Sequence, residues 1–195
     1  MQKRATAEEA LKRKYPESVA LVVACGPPGK ANVMAVGWIA LASSEPWMFV
    51  LGIDAGAFTY GLIRRTREFV VAFPSEQMAA ATLYAGTHHG HRLDKLAATG
   101  LRTQPASVVR APLLADAVAN FECRLVRIVQ PGDCPLLFGE VVAAHEHTNL
   151  RRKRLYNWGG EYTLAGARMA RAGAIRNSAT PPAAPNSRSA SIRKR

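Results

Sequence analysis

Long apolar runs are missing from this 195-residue chain. The longest, VALVVAC and MAVGWIALA, fall far short of the ~20 residues a helix needs to span a bilayer, and the opening MQKRATAEEALKRKY is a charged helix-like segment without a signal peptide's apolar core. A chain that neither crosses a membrane nor is exported is expected. Cysteine is scarce: Cys25, Cys123 and Cys134 are an odd number with no C-x-x-C pair, which excludes a disulfide framework and fits a reducing, cytoplasmic compartment. Neither a phosphate-cradling G-x-x-x-x-G-K-[ST] loop nor a G-x-S-x-G elbow occurs, and no G-x-G-x-x-G follows a strand. No internal repeat of 20–50 residues is visible. Acidic residues are the minority sign, 14 against 26 basic. The resulting +12 is concentrated in the ends. Residues 1–14 hold five basic and two acidic groups, residues 168–195 hold seven basic and none acidic, and the middle, 15–167, keeps 14 basic against 12 acidic. Such ends touch polyanions non-specifically and say nothing of the fold, so no specific nucleic-acid partner is expected.

What is present is a chain of one-domain length, with 48% hydrophobic residues to build a core. Thr6 followed by Glu9 forms a capping box for a short N-terminal helix over residues 1–15 that ends near Pro16. The texture then turns to strand. SVALVVACG is a β-branched run, NVMAVGWIALASS a second with a glycine inside it, and WMFVLGID a third after Pro46. AFTYGLIRRT reads as a helix, EFVVAFP as a strand, and SEQMAAATLYAG as a helix capped by Ser75 and ended by Gly86. LDKLAAT with Gly100 beyond it is a further short helix, and ANFECRLVRIV and CPLLFGEVVAAHE form a hairpin across PGD. From about Gly173 the run is rich in Pro, Ser, Ala and Arg with almost no bulky apolar residues, so 168–195 is expected to be a disordered basic tail. Many short antiparallel strands close most readily into a barrel, which removes their edges.

The segments ANVMAVGW, PSE, GHRLDK, FEC and GDCPLLFGEV, taken in order, resemble the flavin reductase-like, FMN-binding split-barrel family, especially its flavoredoxin-type branch. The resemblance covers roughly residues 16 to 165. It implies a mainly β, six-stranded antiparallel split barrel of Greek-key type with short helical insertions over 16–167. It further implies a homodimer, and FMN in a groove at or near the dimer interface.

The residues make chemical sense for that ligand. An isoalloxazine ring needs a flat apolar slot and hydrogen-bond donors, and the ribityl phosphate needs a polar or cationic pocket. Asn32 offers an amide, Gly37 close backbone approach, Trp38 a flat face and Met34 one wall; Met34 and Trp38 read equally well as barrel core. Thr59 begins a helix whose N–H groups suit an anion, as phosphate ligand, as helix cap, or as both. In THHGHRLDK, His88, His89 and His91 replace part of the family's Gly-x-x-Ser-Gly run, with His89 at the serine. No metal is expected, because H-H-G-H lacks the i, i+4 spacing and any acidic or thiolate partner. By resemblance Lys95 lies on the flavin side, where an ammonium holds negative charge on the N1/O2 edge. Cys134 stands where the family's hairpin carries histidine; a thiol of pKa ~8.5 substitutes poorly for imidazole as a proton relay, which leaves Cys134 as a flavin contact or as a buried residue. Tyr162 in EYTLAG is a candidate ring neighbour, and RRKR at 151–154 a candidate site for a nicotinamide nucleotide's adenosine phosphates, unless it is a solvated loop. The expectation is an NAD(P)H-dependent flavin oxidoreductase, passing electrons to an acceptor the sequence does not name. A non-enzymatic flavoredoxin-type carrier, and a split barrel that has lost flavin, remain open beside it.

Overall fold

A computed structural model describes residues 1–26 and 30–159 in full, and the backbone alone of 162–164. The chain opens with helix α1 (Ala7–Leu11), started by the expected capping box: the Glu9 N–H donates to Thr6 Oγ1 (3.2 Å) and the Thr6 N–H to the Glu9 carboxylate (3.0 Å). Strands β1 (Glu17–Ser18), β2 (Ala20–Cys25), β3 (Ala31–Val36), β4 (Ile39–Ser44) and β5 (Trp47–Gly52) follow, then helix α2 (Phe58–Thr66) and strand β6 (Glu68–Phe73). A 3₁₀ turn at Glu76–Met78 leads into helix α3 (Ala79–Thr87), and helix α4 (Lys95–Thr99) comes next. Two short strands, β7 (Thr103–Gln104) and β8 (Leu113–Leu114), precede the long hairpin β9 (Ala119–Val129) and β10 (Leu136–Glu146). Strands β11 (Leu155–Asn157) and β12 (Tyr162–Leu164) close the described chain.

The mainly β, split-barrel class is as expected. The main sheet has seven strands where six were expected, all antiparallel, in the order β3-β2-β6-β9-β10-β5-β4. One reading of the sequence needs correction: NVMAVGWIALASS is not one strand. It breaks at Gly37–Trp38, and its halves β3 and β4 become the two edges of the sheet, which is how the barrel stays split. Strand β2 is apolar without alternation because both its faces are covered. Ala20, Val22 and Ala24 enter the inner core with Phe49, Leu51, Phe69 and Leu137, while Leu21 and Val23 enter an outer core with Val70, Met78, Leu113 and Leu114. Gly139 sits at a shift of register in β10, where a side chain would press within 2.9 Å of the Phe69 ring and 3.3 Å of Cys123 Cβ. The glycine is what lets Phe69 fill the barrel centre.

Two caps differ from expectation. Ser75 makes no capping hydrogen bond, and α3 runs past Gly86 to Thr87. The expected tail at 168–195 lies outside the described residues. Among the described residues no helix is long and apolar enough to cross a membrane.

Candidate functional site

Four of the residues singled out in the sequence, Asn32, Met34, Thr59 and Lys95, line a single cavity of about 420 Å³. Strand β3 supplies Asn32 and Met34, the first turn of α2 supplies Thr59, and α4 supplies Lys95. The Asn32 Nδ2–H donates to Thr59 Oγ1 at 2.7 Å, both residues being buried. A hydroxyl that accepts from the amide has its own proton left to give elsewhere. Thr59 is therefore not the cap of its helix. The N-cap of α2 is Ala57, which has no side chain able to cap, so the helix presents its first N–H groups next to that hydroxyl. Asp54 accepts from the Gly56 N–H (2.6 Å) and shapes the turn that delivers α2.

The histidine loop closes the cavity, and its glycine makes the closure possible. A Cβ on Gly90 would lie 2.7 Å from Asn32 Cγ and 2.9 Å from the Phe58 ring. Lys95 anchors the loop from below: its Nζ donates to the carbonyls of Ala85 (2.9 Å) and His88 (3.1 Å) at the C-terminal end of α3, where a cation meets the helix's unpaired carbonyls. Burial pushes this ammonium down to about 8. Two of its N–H groups are committed to the chain and one remains for the cavity. The histidines have separate tasks. His88 stacks on Tyr84, ring centroids 3.7 Å apart, and its Nδ1 lies 3.1 Å from the Tyr84 carbonyl. His91 packs on Phe58 at 4.8 Å, and His89 is exposed at the rim. Among the described residues no three His, Cys, Asp or Glu side chains are grouped to hold an ion.

The model of the family described as the flavin reductase like domain matches residues 12–166. The chain belongs to that family. An uncharacterised protein of Pyrococcus abyssi is 35% identical over 135 residues, 69% of this chain and 77% of its own. The protein FMN reductase (NADH) RutF of Escherichia coli (strain SE11) is 27% identical over 133 residues, 67% of this chain and 83% of its own. Among solved structures, the flavoredoxin of Desulfovibrio vulgaris (Miyazaki F) superposes with a TM-score of 0.77 at 22% identity, covering 90% of this chain and 99% of that one; at that identity it speaks for the fold.

Within this flavin reductase-like chain, three expected ligand residues do not line the cavity. Gly37 faces Glu17, whose Oε1 lies 3.0 Å from where a Cβ would sit. Trp38 is 59% exposed and lies across Gly52, and Cys134 Sγ approaches the same glycine. The break after Val36 explains both: it carries the chain from the β3 edge to the β4–β5 edge, taking Trp38 away from Asn32. Burial, then the carboxylates of Asp133 and Asp54, push the Cys134 thiol up, so it stays protonated near neutral pH. Cys123 is buried and pushed up to about 12, chiefly by burial. The side chain of Tyr162 lies outside the described residues. RRKR is not a free basic patch, since Arg152 donates to the carbonyl (3.1 Å) and carboxylate (3.3 Å) of Asp116, and Arg154 lies on the Phe73 ring.

Sequence reasoning missed Asp54, Phe58 and His88 as lining residues. The D-A-G turn ahead of α2 was the available signal for the first. It also missed Glu122, the E of FEC, which has no exposed surface. Its Oε1 accepts from the Ser107 N–H (2.8 Å), the Ser107 hydroxyl (2.6 Å) and His145 Nε2 (2.6 Å), and its Oε2 from the Val108 and Val109 N–H groups (2.6 and 2.8 Å). Serine and histidine both spend their protons on one oxygen, so this trio is a clamp on the 107–109 loop and not a nucleophile with its base.

Proposed function

We propose that the cavity between β3, α2 and the histidine loop binds FMN, and that the protein is an NAD(P)H-dependent flavin oxidoreductase acting as a homodimer in the cytoplasm. The observation that carries this reading is the convergence of Asn32, Met34, Thr59 and Lys95 on one cavity from three separate elements. The donor set suits a flavin mononucleotide: uncapped N–H groups of α2 and the Thr59 hydroxyl for a phosphate, apolar Met34 and Phe58 for the ring, and a side-chain-free Gly90 where a bound molecule meets the loop. A bound FMN would supply the hydride-accepting and electron-transferring chemistry. The chain's own residues position and shield. Asn32 fixes the Thr59 hydroxyl so that its proton faces an anion, Lys95 holds the loop and supplies positive potential near the ring, and the loop excludes water. Trp38 and Cys134 lie against Gly52 at the end of β5, where a second subunit would bring them to the ring; Gly37 and Tyr162 belong to the same proposal.

A flavoredoxin-type electron carrier with the same FMN but no nicotinamide site is the second reading. It is favoured by Arg152 being tied to the carbonyl and carboxylate of Asp116, which takes that guanidinium away from a nucleotide's phosphates. The absorption spectrum of the purified protein with added FMN tests the common core. FMN is expected to bind at least tenfold more tightly than riboflavin, ~1.4 kcal/mol, and equal affinities would remove the phosphate role of Thr59. Direct oxidation of NADH or NADPH by the FMN-loaded protein distinguishes enzyme from carrier.

A further inference from the structure

A second, larger groove of about 570 Å³ shares no lining residue with the Asn32–Thr59 cavity. Strand registers set it towards the other end of the sheet: Phe73 pairs with Ala119 and Ala144 with Phe121, whereas Asn32 pairs with Ala24. Its size is that of small-molecule sites. Phe49, Phe73 and Phe121 form its wall, packed edge to face at 5.2 to 6.0 Å, with Trp47 at its rim. The only charged side chain on this wall, among the described residues, is Arg154.

Arg154 contrasts with its neighbour Arg152. Arg152 has the Asp116 carboxylate as counter-ion. The Arg154 guanidinium lies 4.0 Å from the Phe73 ring centroid and 5.1 Å from that of Tyr156, and its Nε and Nη2 are shut off from water with no acceptor. Burial lowers its pKa. A desolvated cation without a hydrogen-bonding partner is costly, and buried polar groups otherwise find one. Nε and Nη2 are the two donors that together form a guanidinium's side-on fork, whose spacing matches the two oxygens of a carboxylate.

We propose that this groove is a binding site for an aromatic carboxylate, its rings stacked among Phe49, Phe73, Phe121 and Trp47 and its carboxylate paired with the fork of Arg154. Cation–π contact holds the guanidinium on Phe73 by only about 0.5–2 kcal/mol, so turning the fork from the ring face to the groove costs less than a bidentate charge-assisted pair returns. The edge-to-face wall leaves ring faces open to a planar ligand.

Calorimetric titration of the full chain with 2-naphthoate and with neutral 2-naphthamide tests this, with FMN absorbance followed in parallel. The acid is expected to bind at least tenfold more tightly than the amide. Arg154→Met should abolish that preference, and Ala144→Phe, which fills the groove and leaves Arg154 in place, should weaken both ligands at least tenfold. Three results would overturn the proposal: no saturable binding by the unmodified protein at millimolar ligand, equal affinity for acid and amide, or an acid preference that survives Arg154→Met. Displacement of FMN by naphthoate would place the ligand in the other cavity instead. A dimer that takes up no naphthoate and dissociates in Ala144→Phe would show that a second copy fills the groove, which also overturns it. Should Arg154→Met fail to fold, the Ala144→Phe result and the acid-to-amide ratio decide. The naphthoate and naphthamide affinities are read without FMN, so failure here leaves the flavin reading standing.

Discussion

Gly90 shows how little space separates the histidine loop from β3. With Asn32 Cγ 2.7 Å and the Phe58 ring 2.9 Å from where a methyl group would go, Gly90→Ala has to lift the loop or turn Asn32 away from Thr59. FMN affinity measured by fluorescence is expected to fall at least tenfold, ~1.4 kcal/mol, while His89→Ala, at an exposed ring, changes it little; unaltered binding by Gly90→Ala would remove the loop from the site. Lys95 makes a prediction in pH. Its folded pKa of about 8 lies below the ordinary 10.5, so the folded state is penalised while the group is charged. That penalty is present in full below about pH 8. Between about 8 and 10.5 the unfolded chain binds the proton that the folded protein has released, and stability rises with pH across that window. Urea unfolding at several pH values should show this rise in the unmodified protein and a flatter profile in Lys95→Met.

At the scale of elements, the Glu122 clamp ties β9 and β10 to the 107–109 loop, and it does so with a buried charge. Burial by itself raises the carboxyl pKa, but the hydrogen bonds from Ser107, His145 and Val109 outweigh it and bring the value to about 2 from the ordinary 4.5. A depressed carboxylate stabilises fully above its unfolded pKa, and the contribution is lost as pH falls through the folded one. At ~1.4 kcal/mol per pKa unit the contribution is about 3 kcal/mol at neutral pH. Glu122→Gln replaces one accepting oxygen by an NH₂ that faces N–H and O–H donors. Denaturant unfolding should show a loss of at least ~2 kcal/mol at pH 7, with a shallower acid limb between about pH 4.5 and 2. An equally stable variant would mean that the loop is held by something other than the carboxylate.

For the whole molecule, the exposed edge of the barrel bears on assembly. Strand β4 is an edge of the sheet, and Trp38, where the chain enters it, is 59% exposed. An uncovered apolar edge invites pairing, and the proposed site lacks Trp38 and Cys134 within one subunit. A C2 dimer is therefore expected. Light scattering at micromolar concentration should give twice the chain mass of 21.1 kDa, and a monomer that still holds FMN would contradict it.

Local pattern determined most of the elements. The Thr6–Glu9 capping box, the Gly100 stop of α4, the β-branched run of β2 and the PGD hairpin are all set by residues within a few positions of one another, and each was legible in the sequence. So, in part, was the cavity: Asn32 is conspicuous as an amide in an apolar strand, Thr59 as a hydroxyl at a helix start, and Gly90 and Lys95 through the resemblance of their loop to the family's. What the sequence alone did not decide was where the chain goes between elements. A glycine inside an apolar run is the same signal whether the strand bends or breaks, and only the closing of the sheet around Phe69 and Leu137 sends β4 to the far edge, separating Trp38 from Asn32. The partners of Glu122 and Arg154 were hidden for the same reason. Most of their surroundings come from segments distant in sequence, from Val109 beside Glu122 to Phe73 beside Arg154, and the burial that decides whether a charge is clamped by five donors or left without an acceptor exists only after those segments have packed.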